Sequence, residues 1–409
     1  MEIFSDKFLN CLSEQYGDSF YLLDSEVFEK NYVDLQAAFM RYYPYFNIAY
    51  SYKTNYIPKL VKIVDRYNGF AEVVSDLEMD IALNSRVKYE RIIWNGPIKD
   101  KLRVEELLIN GGTVNIDSIE EFEYIKEIAA KYKDKTICVG IRCNYMVGDG
   151  VLSRFGIDVE SSEFDSILRT ISECENIKLV SFQSHFAKRS PEYWNARAEG
   201  MIKIYNYSKS KYGIIPERLD LGGGIYGPMP EMLREQLGVT ETCYEDYACR
   251  AAKVFAGAFQ SESDKPMLVI EPGTALAANS MRYVCRVGTI KQVQKKTIAT
   301  ANGSQKNISL LGINPPMEVI HVPTSQHKRY DDLDIAGYTC IESDYLYRGY
   351  HGDLGVGDYL VFENCGSYSL VMKPPFIFAN VPVIDIGNGK IELIKRAETF
   401  EDLFSTYVF

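Results

Sequence analysis

The sequence predicts an α/β fold, a (β/α)8 TIM-type barrel followed by a β-rich domain, and three observations support this prediction. Eight short β-branched runs alternate with longer stretches of helical periodicity, as expected for βα units around a parallel sheet. The runs fall within residues 27–275, close to the ~250 residues usual for such a barrel. From residue 276 onward, strand-like runs follow one another without long helices. This change favours a second domain of β-barrel or sandwich type over residues 276–409.

The barrel runs can be placed along the chain from their composition and from the helix starts that follow them. In chain order they are 47–53, 70–74, 91–95, 113–117, 136–142, 178–185, 218–222 and 267–271. Two helix starts carry capping boxes, Ser75 with Glu78 and Ser118 with Glu121, directly after the second and fourth runs. The runs predicted for the second domain are 282–288, 297–300, 359–362 and 390–394.

Composition and charge exclude several classes of protein. Hydrophobic residues make up 46% and charged residues 25% of the 409 residues, which is globular rather than disordered or fibrous composition. The formal charge is -11 and no basic run occurs, so nucleic acid and anionic membranes are poor candidates as partners. Because no signal peptide or membrane-spanning run is evident, we expect a cytoplasmic protein. Nine scattered cysteines without a Cys-x-x-Cys pair predict neither a disulfide framework nor a metal site.

Reactive side chains fall at the carboxyl ends of the predicted strands, which share one mouth in a barrel. Each of these side chains also has an ordinary explanation. The lysine can be a solvated charge, the glycines can relieve backbone crowding, the histidine can be a core residue, and one glutamate can serve only its capping box. Together they offer a Schiff-base lysine, a phosphate-binding turn, a flat ring for stacking and a carboxylate for a pyridinium. These are the groups that pyridoxal phosphate requires. In strand order the residues are Lys53, Glu72 and Glu78, His185, Gly222 to Gly224, and Glu271.

Six motifs follow one order along nearly the whole chain. They are Tyr50-Ser-Tyr-Lys53-Thr-Asn55, Ser153-Arg154-Phe-Gly-Ile, Leu219-Asp-Leu-Gly-Gly-Gly-Ile, Glu271-Pro-Gly, Cys340-Ile-Glu-Ser-Asp344, and Gly357-Asp-Tyr-Leu with Asn364-Cys-Gly-Ser-Tyr368. They resemble the motifs of the fold type III (alanine racemase-like) pyridoxal phosphate-dependent decarboxylases. This is the family of ornithine, arginine and diaminopimelate decarboxylases.

The resemblance implies a cofactor site, a domain arrangement and an assembly. Lys53 would form the internal aldimine, Glu271 would bind the pyridine nitrogen, and His185 would stack behind the ring. Segment 1–26 would join residues 276–409 in the β-rich domain. The chain would form a head-to-tail homodimer with shared sites, in which Cys340 donates a proton after carbon dioxide leaves and Asp344 reaches in beside it. The remaining cofactor-binding residues implied are Glu72, Arg154, Gly222, Gly223, Gly224 and Tyr368.

Three departures from the family pattern concern the substrate. Ile341 follows the motif cysteine, where ornithine and diaminopimelate decarboxylases carry an acidic residue for a distal ammonium, and Glu342 is a candidate replacement. Thr274 stands where the glutamate motif normally continues to an arginine. Lys188 and Arg189 follow the stacking histidine, where they either bind the phosphate or a substrate carboxylate or form a solvated pair.

The predicted function is removal of the α-carboxylate of an amino acid, either a diamino acid or a modified or conjugated derivative. Glu271 favours a decarboxylase, because a carboxylate keeps the ring nitrogen protonated and so stabilises a quinonoid intermediate. Alanine racemases place an arginine there. Two alternatives stay open: a pyridoxal phosphate-dependent racemase or epimerase, and a non-catalytic homologue that binds the cofactor.

Overall fold

The computed structural model of the protein describes residues 4–260, 265–309, 313–373 and 375–409. The chain divides into two compact units. The first, here called the barrel unit, comprises Glu29–Gly227 and Thr242–Leu276. The second, the β unit, combines the segment that ends at Phe28 with Pro228–Glu241 and Ala277–Phe409. The segment Pro228–Glu241 lies inside the range 27–275 that was predicted for the barrel, but it belongs to the β unit.

The strands are short in the barrel unit and longer in the β unit. In chain order they are β1 (Ser19–Leu23), β2 (Phe46–Ser51), β3 (Phe70–Val73), β4 (Ile92–Trp94), β5 (Thr113–Ile116), β6 (Ile137–Asn144), β7 (Ile157–Asp158), β8 (Ile177–Gln183), β9 (Arg218–Asp220), β10 (Met267–Ile270), β11 (Met281–Val293), β12 (Lys296–Ala301), β13 (Met317–Ile320), β14 (Lys328–Ala336), β15 (Tyr345–Leu354), β16 (Tyr359–Phe362), β17 (Val383–Asp385) and β18 (Glu392–Lys395).

Helices separate most of the barrel strands. In chain order they are α1 (Asp6–Tyr16), α2 (Ser25–Met40), α3 (Pro58–Arg66), α4 (Asp76–Asn84), α5 (Lys101–Ile109), α6 (Ile119–Lys131), α7 (Ser162–Glu173), α8 (Trp194–Tyr212), α9 (Glu231–Gln236), α10 (Tyr244–Ala258), α11 (Thr274–Ala277), α12 (Gln305–Ile308) and α13 (Phe400–Phe404). Among the described residues, no helix combines the length and the apolar character needed to cross a membrane.

The barrel unit is built on a closed parallel sheet. Its strands follow the order β5-β4-β3-β2-β10-β9-β8-β6, and β5 pairs with β6 to complete the circle. All eight predicted runs form these strands, so the predicted (β/α)8 barrel is confirmed. A parallel sheet with helices outside buries both faces of its strands, which explains why the runs are almost continuously apolar. For example, all four residues of β3 and all four of β5 are buried.

Helix starts in the barrel unit follow the capping signals. Ser75 Oγ accepts the backbone N–H of Glu78 at 3.2 Å, and Ser118 Oγ accepts that of Glu121 at 3.3 Å. The glutamate carboxylates reach one residue further back than a standard capping box, to the N–H groups of Val74 and Asp117. These contacts fix the turns that follow β3 and β5, at the carboxyl end of the barrel.

The β unit is organised around β1. This strand pairs antiparallel with β11 and parallel with β17, so the amino-terminal segment supplies an interior strand of the sheet. Helix α1 covers it with Leu9 and Leu12, which pack in one buried cluster with Phe20 and Leu22. A β-rich second domain was predicted, and it is confirmed.

Candidate active site at the carboxyl end of the barrel

A lysine and a buried glutamate pair at the ends of the first two barrel strands. Lys53 lies in a single 3-10 turn directly after β2, and its Nζ lies 2.6 Å from Glu72 Oε2 on β3. The Lys53 side chain is 36% exposed whereas that of Glu72 is 1% exposed. Burial alone would raise the pKa of Glu72, but the Lys53 ammonium and the hydroxyl of Ser51 hold it below its usual value. Glu72 is therefore an anion that holds the lysine head group at the barrel mouth.

One amide connects this pair to a second buried carboxylate. Asn95, directly after β4, donates from Nδ2 to Glu72 Oε1 at 3.0 Å and to Glu271 Oε1 at 2.6 Å. Its own carbonyl accepts Asn115 Nδ2 at 2.7 Å, and Asn115 in turn accepts Ser181 Oγ at 3.0 Å. Sequence reasoning missed both asparagines. The available signal was an amide at or beside the end of an otherwise apolar strand run.

Glu271 follows β10 and is buried, with the Lys53 ammonium near enough to oppose the rise in its pKa. Asn95 and Gln183 Nε2, the latter at 2.9 Å, donate to its carboxylate. Burial, followed by the nearby carboxylates of Asp220 and Glu72, raises the pKa of Glu271 well above its usual value. Burial likewise raises the pKa of Asp220 to about 7. A cluster of this kind is stabilised when a cation is placed against it.

The glycine turn after β9 lies against this cluster. Gly222 and Gly224 have left-handed backbones, with φ of +70° and +84°. A Cβ on Gly222 would lie 2.2 Å from the carbonyl oxygen of Ser184, and one on Gly223 would lie 2.5 Å from that of Glu271. Only glycine fits between the ends of β8 and β10, so the turn presents bare backbone at the mouth.

A buried arginine that the sequence did not reveal supports the glycine turn. Arg197 on α8 is fully buried, and it donates from Nη1 to the carbonyl of Gly223 at 2.8 Å and from Nη2 to that of Lys188 at 2.5 Å. Burial lowers its pKa to about 10, so it stays charged at neutral pH. Its guanidinium also lies 4.8 Å from the Trp194 ring. An arginine on the apolar face of a predicted helix was the only sequence signal.

His185 stands next to the glycine turn. Its Nε2 lies 3.6 Å from the position that a Cβ of Gly223 would occupy. Burial, then the charges of Lys53, Arg142 and Arg197, lowers the pKa of the ring to about 3. The imidazole is therefore neutral, and its flat face can stack without adding charge.

Other predicted residues of the barrel unit lie on its loops. Arg154 is exposed, with its guanidinium 4.0 Å from the centre of the Phe155 ring. Lys188 is exposed and Arg189 is half-buried. Glu78 is buried in its cap, and burial raises its pKa to about 7.

The predicted residues of the β unit occupy two segments. Tyr368 is half-buried and has a left-handed φ of +63°, a strained conformation that is often found at functional sites. Cys340, Ile341 and Glu342 form an exposed loop. Asp344 is buried at the base of that loop.

Local hydrogen bonds occupy both carboxylate oxygens of Asp344. Oδ1 accepts Ser304 Oγ at 3.0 Å and the N–H of Gln305 at 2.8 Å, whereas Oδ2 accepts Thr339 Oγ1 at 2.6 Å and its N–H at 3.3 Å. Asp344 thus anchors the loop that displays Cys340.

A barrel mouth that combines a lysine, a bare glycine turn and a buried carboxylate with a raised pKa is typical of a pyridoxal-binding enzyme. Residues 29–278 match the family described as "Pyridoxal-dependent decarboxylase, pyridoxal binding domain". The chain therefore belongs to this family, and it is a pyridoxal phosphate-dependent amino-acid decarboxylase.

Similar proteins cover the whole chain. Diaminopimelate decarboxylase from Corynebacterium efficiens is 27% identical, over 97% of this chain and 89% of that protein. L-glutamyl-[BtrI acyl-carrier protein] decarboxylase from Niallia circulans is 26% identical, over 97% and 95% respectively. Among solved structures, diaminopimelate decarboxylase from M. jannaschii superposes with a TM-score of 0.84 at 23% identity, covering 97% of this chain and 94% of that one. The structural likeness supports the two-part fold.

Proposed function

We propose that the group at the barrel mouth carries out decarboxylation, with Lys53 as the cofactor lysine, on an amino acid whose far end is modified or conjugated. The residue assignment rests on the continuous hydrogen-bond network from Lys53 through Glu72 and Asn95 to Glu271. This network links the amine of Lys53, a nucleophile, to the carboxylate of Glu271, which can bind a cation, at one end of the barrel.

The residues present fit pyridoxal phosphate. A Cβ on Gly222 or Gly223 would collide with the carbonyl oxygen of Ser184 or Glu271, so the turn keeps bare backbone there, and backbone N–H groups of such a turn can bind a phosphate. The pKa of Glu271 is raised in spite of Lys53, and a protonated pyridine nitrogen would supply a second cation. His185 offers a neutral ring beside the turn. When bound, the cofactor supplies an electron-accepting ring for the charge left as the carboxylate departs.

The chain's own residues prepare this chemistry. Glu72 holds Lys53 Nζ at the barrel mouth, where the amine would act as a nucleophile once its proton has left. With the cofactor bound, Glu271 would hold positive charge at its ring nitrogen, which favours decarboxylation over racemisation. Gln183 and Asn95 fix both of its oxygens, so the carboxylate keeps one orientation. Arg197 fixes the glycine turn by donating a hydrogen bond to the carbonyl of Gly223.

Residues of the β unit complete the proposed site from the partner subunit of a homodimer. Cys340 is exposed on a loop that Asp344 anchors, as expected for a thiol that donates a proton to bound substrate. Tyr368 would contribute to the phosphate site, and Arg154 to the supporting network. A dimer with shared sites and a cytoplasmic location are parts of the same proposal.

The proposed substrate class rests on the residues that follow the cysteine in sequence and on the loop after β8. Ile341 is 42% exposed beside Cys340, and an isoleucine cannot pair with a distal ammonium. Glu342 is exposed one residue further on, and Lys188 and Arg189 add positive charge on the loop after β8. The relative from Niallia circulans acts, by its name, on a glutamyl group attached to a carrier protein. These features favour a substrate whose distal group is blocked rather than a free diamino acid.

The test is an absorbance and product assay on the purified holoenzyme. Free diaminopimelate, ornithine and arginine are compared with amino acids blocked at the side chain as amides or thioesters, and carbon dioxide and substrate racemisation are both followed. We expect cofactor absorbance that borohydride abolishes, and carbon dioxide from a blocked substrate.

Controls separate the possible outcomes. Lys53→Ala removes the absorbance and the turnover, whereas Lys62→Ala, an exposed lysine on α3, leaves both unchanged. Fastest turnover of free diaminopimelate would refute the blocked substrate. Racemisation without carbon dioxide would refute decarboxylation, and cofactor absorbance without turnover of any of these amino acids would identify a non-catalytic homologue that binds the cofactor.

A further inference from the structure

Two of the chain's four histidines lie together on one aspartate of the β unit. His321 Nδ1 lies 2.9 Å from Asp358 Oδ2, and His327 Nε2 lies 2.9 Å from Asp358 Oδ1. The two imidazole centroids are 4.6 Å apart. One potential ligand atom from each of the three residues falls within 4.8 Å of the others. The three side chains therefore converge on a single point.

Strand pairing brings these residues together. His321 directly follows β13 and Asp358 directly precedes β16, and these strands are antiparallel with Ile320 opposite Tyr359. His327 directly precedes β14. The sheet thus places two of the three side chains side by side, and the chain between His321 and His327 brings the third to them.

Asp358 is a fixed anion beneath two accessible rings. Its side chain is fully buried, and the backbone N–H groups of Val322 and Gly355 each donate to it at 2.9 Å. The side chains of His321 and His327 are 45% and 29% exposed. Backbone donors orient the carboxylate, as outer contacts do for metal ligands, while the open rings leave a path for an ion and water.

Two imidazoles and a carboxylate are ligands that zinc binds in proteins. Ligand atoms around tetrahedral zinc lie about 3.4 Å apart, given bonds of about 2.1 Å. The two distances of 2.9 Å between a histidine nitrogen and an Asp358 oxygen are shorter than this by about 0.5 Å. Small rotations of the partly exposed rings would lengthen them by that amount. With each ring proton on the outer nitrogen, both inner lone pairs point at the ion and the rings stay neutral.

We propose that His321, His327 and Asp358 form a binding site for a divalent metal ion of the zinc class, with water completing the coordination. The site lies in the β unit and uses none of the residues assigned to the decarboxylase chemistry. A bound ion would connect the loop between β13 and β14 to the turn before β16, and so stabilise this part of the sheet.

The test measures zinc on the holoenzyme. Protein stripped with a chelator and kept reduced is loaded with zinc chloride, freed of excess by gel filtration, and analysed for metal content and melting midpoint. The double variant His321→Ala, His327→Ala is compared with wild type and with His351→Ala, a control histidine that is 59% exposed on β15. We expect one more zinc per chain, and a midpoint several degrees higher, in wild type and the control than in the double variant.

Cobalt distinguishes this site from exposed thiols such as Cys340. Bound at the proposed site, cobalt gives a visible spectrum without thiolate charge-transfer bands. Equal zinc in wild type and the double variant, or a cobalt spectrum dominated by thiolate bands, overturns the proposal. If circular dichroism shows that the double variant does not fold, His327→Gln alone serves, and it must then lose the extra zinc.

Discussion

At the scale of single residues, Asn95 couples the two halves of the candidate site. Its amide donates to both Glu72 and Glu271, while Asn115 fixes its carbonyl. A displacement of Asn95 therefore moves the carboxylate that holds Lys53 and the carboxylate proposed for the cofactor ring together. This makes it a positioning residue rather than a catalytic one.

We expect Asn95→Ala to lower kcat/KM roughly tenfold to a hundredfold, because buried acceptors left without donors cost about 1–3 kcal/mol. The cofactor absorbance should also change, since both carboxylates are released. Steady-state kinetics and spectra of Asn95→Ala and Asn110→Ala make the comparison, the latter being an exposed asparagine at the end of α5. Equal kinetics and spectra in the two variants would contradict the positioning role.

Asp220 gives the cofactor-free protein a specific pH dependence. Burial raises its pKa from 3.8 to about 7, so the folded protein holds a proton that the unfolded chain has released. Stability is therefore highest below the unfolded pKa and falls as pH rises toward about 7. Melting midpoints between about pH 5 and 7.5 should decline more steeply in wild type than in Asp220→Asn. The exposed Asp134→Asn variant should follow wild type, and a wild-type slope in Asp220→Asn would be inconsistent with this account.

Sequence reasoning identified the residues whose chemistry is distinctive and missed those whose role is geometric. Lys53, Glu72, His185, the glycine turn and Glu271 were all placed at strand ends, and the structure puts them at the barrel mouth. Asn95, Gln183 and Arg197 were missed, because an amide or arginine acquires its meaning only from partners far along the chain. The catalytic and binding roles of all these residues remain predictions.

At the scale of elements, the barrel strands were predictable and several strands of the β unit were not. Burial on both faces gave the barrel runs a continuous apolar signal, whereas β15 is an edge strand with exposed charges and two glycines. Its neighbour β14 begins with exposed Lys328 and Arg329, so the sequence there lacks the apolar pattern that would predict a strand. The predicted 359–362 run coincides with β16, an interior strand that is fully buried.

The Cys340 loop should depend on Asp344 for its order. The Asp344 carboxylate accepts four hydrogen bonds. In Asp344→Asn the side-chain NH2 group faces two of these donors and cannot accept from them. We therefore expect the free energy of unfolding to fall by about 1–3 kcal/mol. Urea unfolding followed by circular dichroism measures it, with the 90% exposed Asp331→Asn as the matched control. Equal stability of the two variants would remove the anchoring role.

At the scale of the whole molecule, shared sites in a homodimer predict complementation. Lys53→Ala damages the barrel part of a site and Cys340→Ala damages the part from the β unit. If each site uses both subunits, mixed dimers contain one site with both residues intact. Half of randomly assorted dimers are mixed, so refolding the two variants together should restore up to about a quarter of wild-type product formation, which neither variant shows alone. Light scattering confirms the dimer, and a mixture no better than its components would exclude sharing.

The interior position of β1 has a consequence for how the protein is made. Ser19–Leu23 leaves the ribosome before both of its partners, Met281–Val293 and Val383–Asp385. At a synthesis rate of about 5–20 residues per second, the second partner emerges roughly 20 to 70 s later. Until Met281–Val293 emerges both edges of the strand Ser-Phe-Tyr-Leu-Leu lack their partners, and one edge still lacks its partner until Val383–Asp385 follows. Nascent chains of this protein should therefore be clients of ribosome-associated chaperones until Val383–Asp385 has emerged.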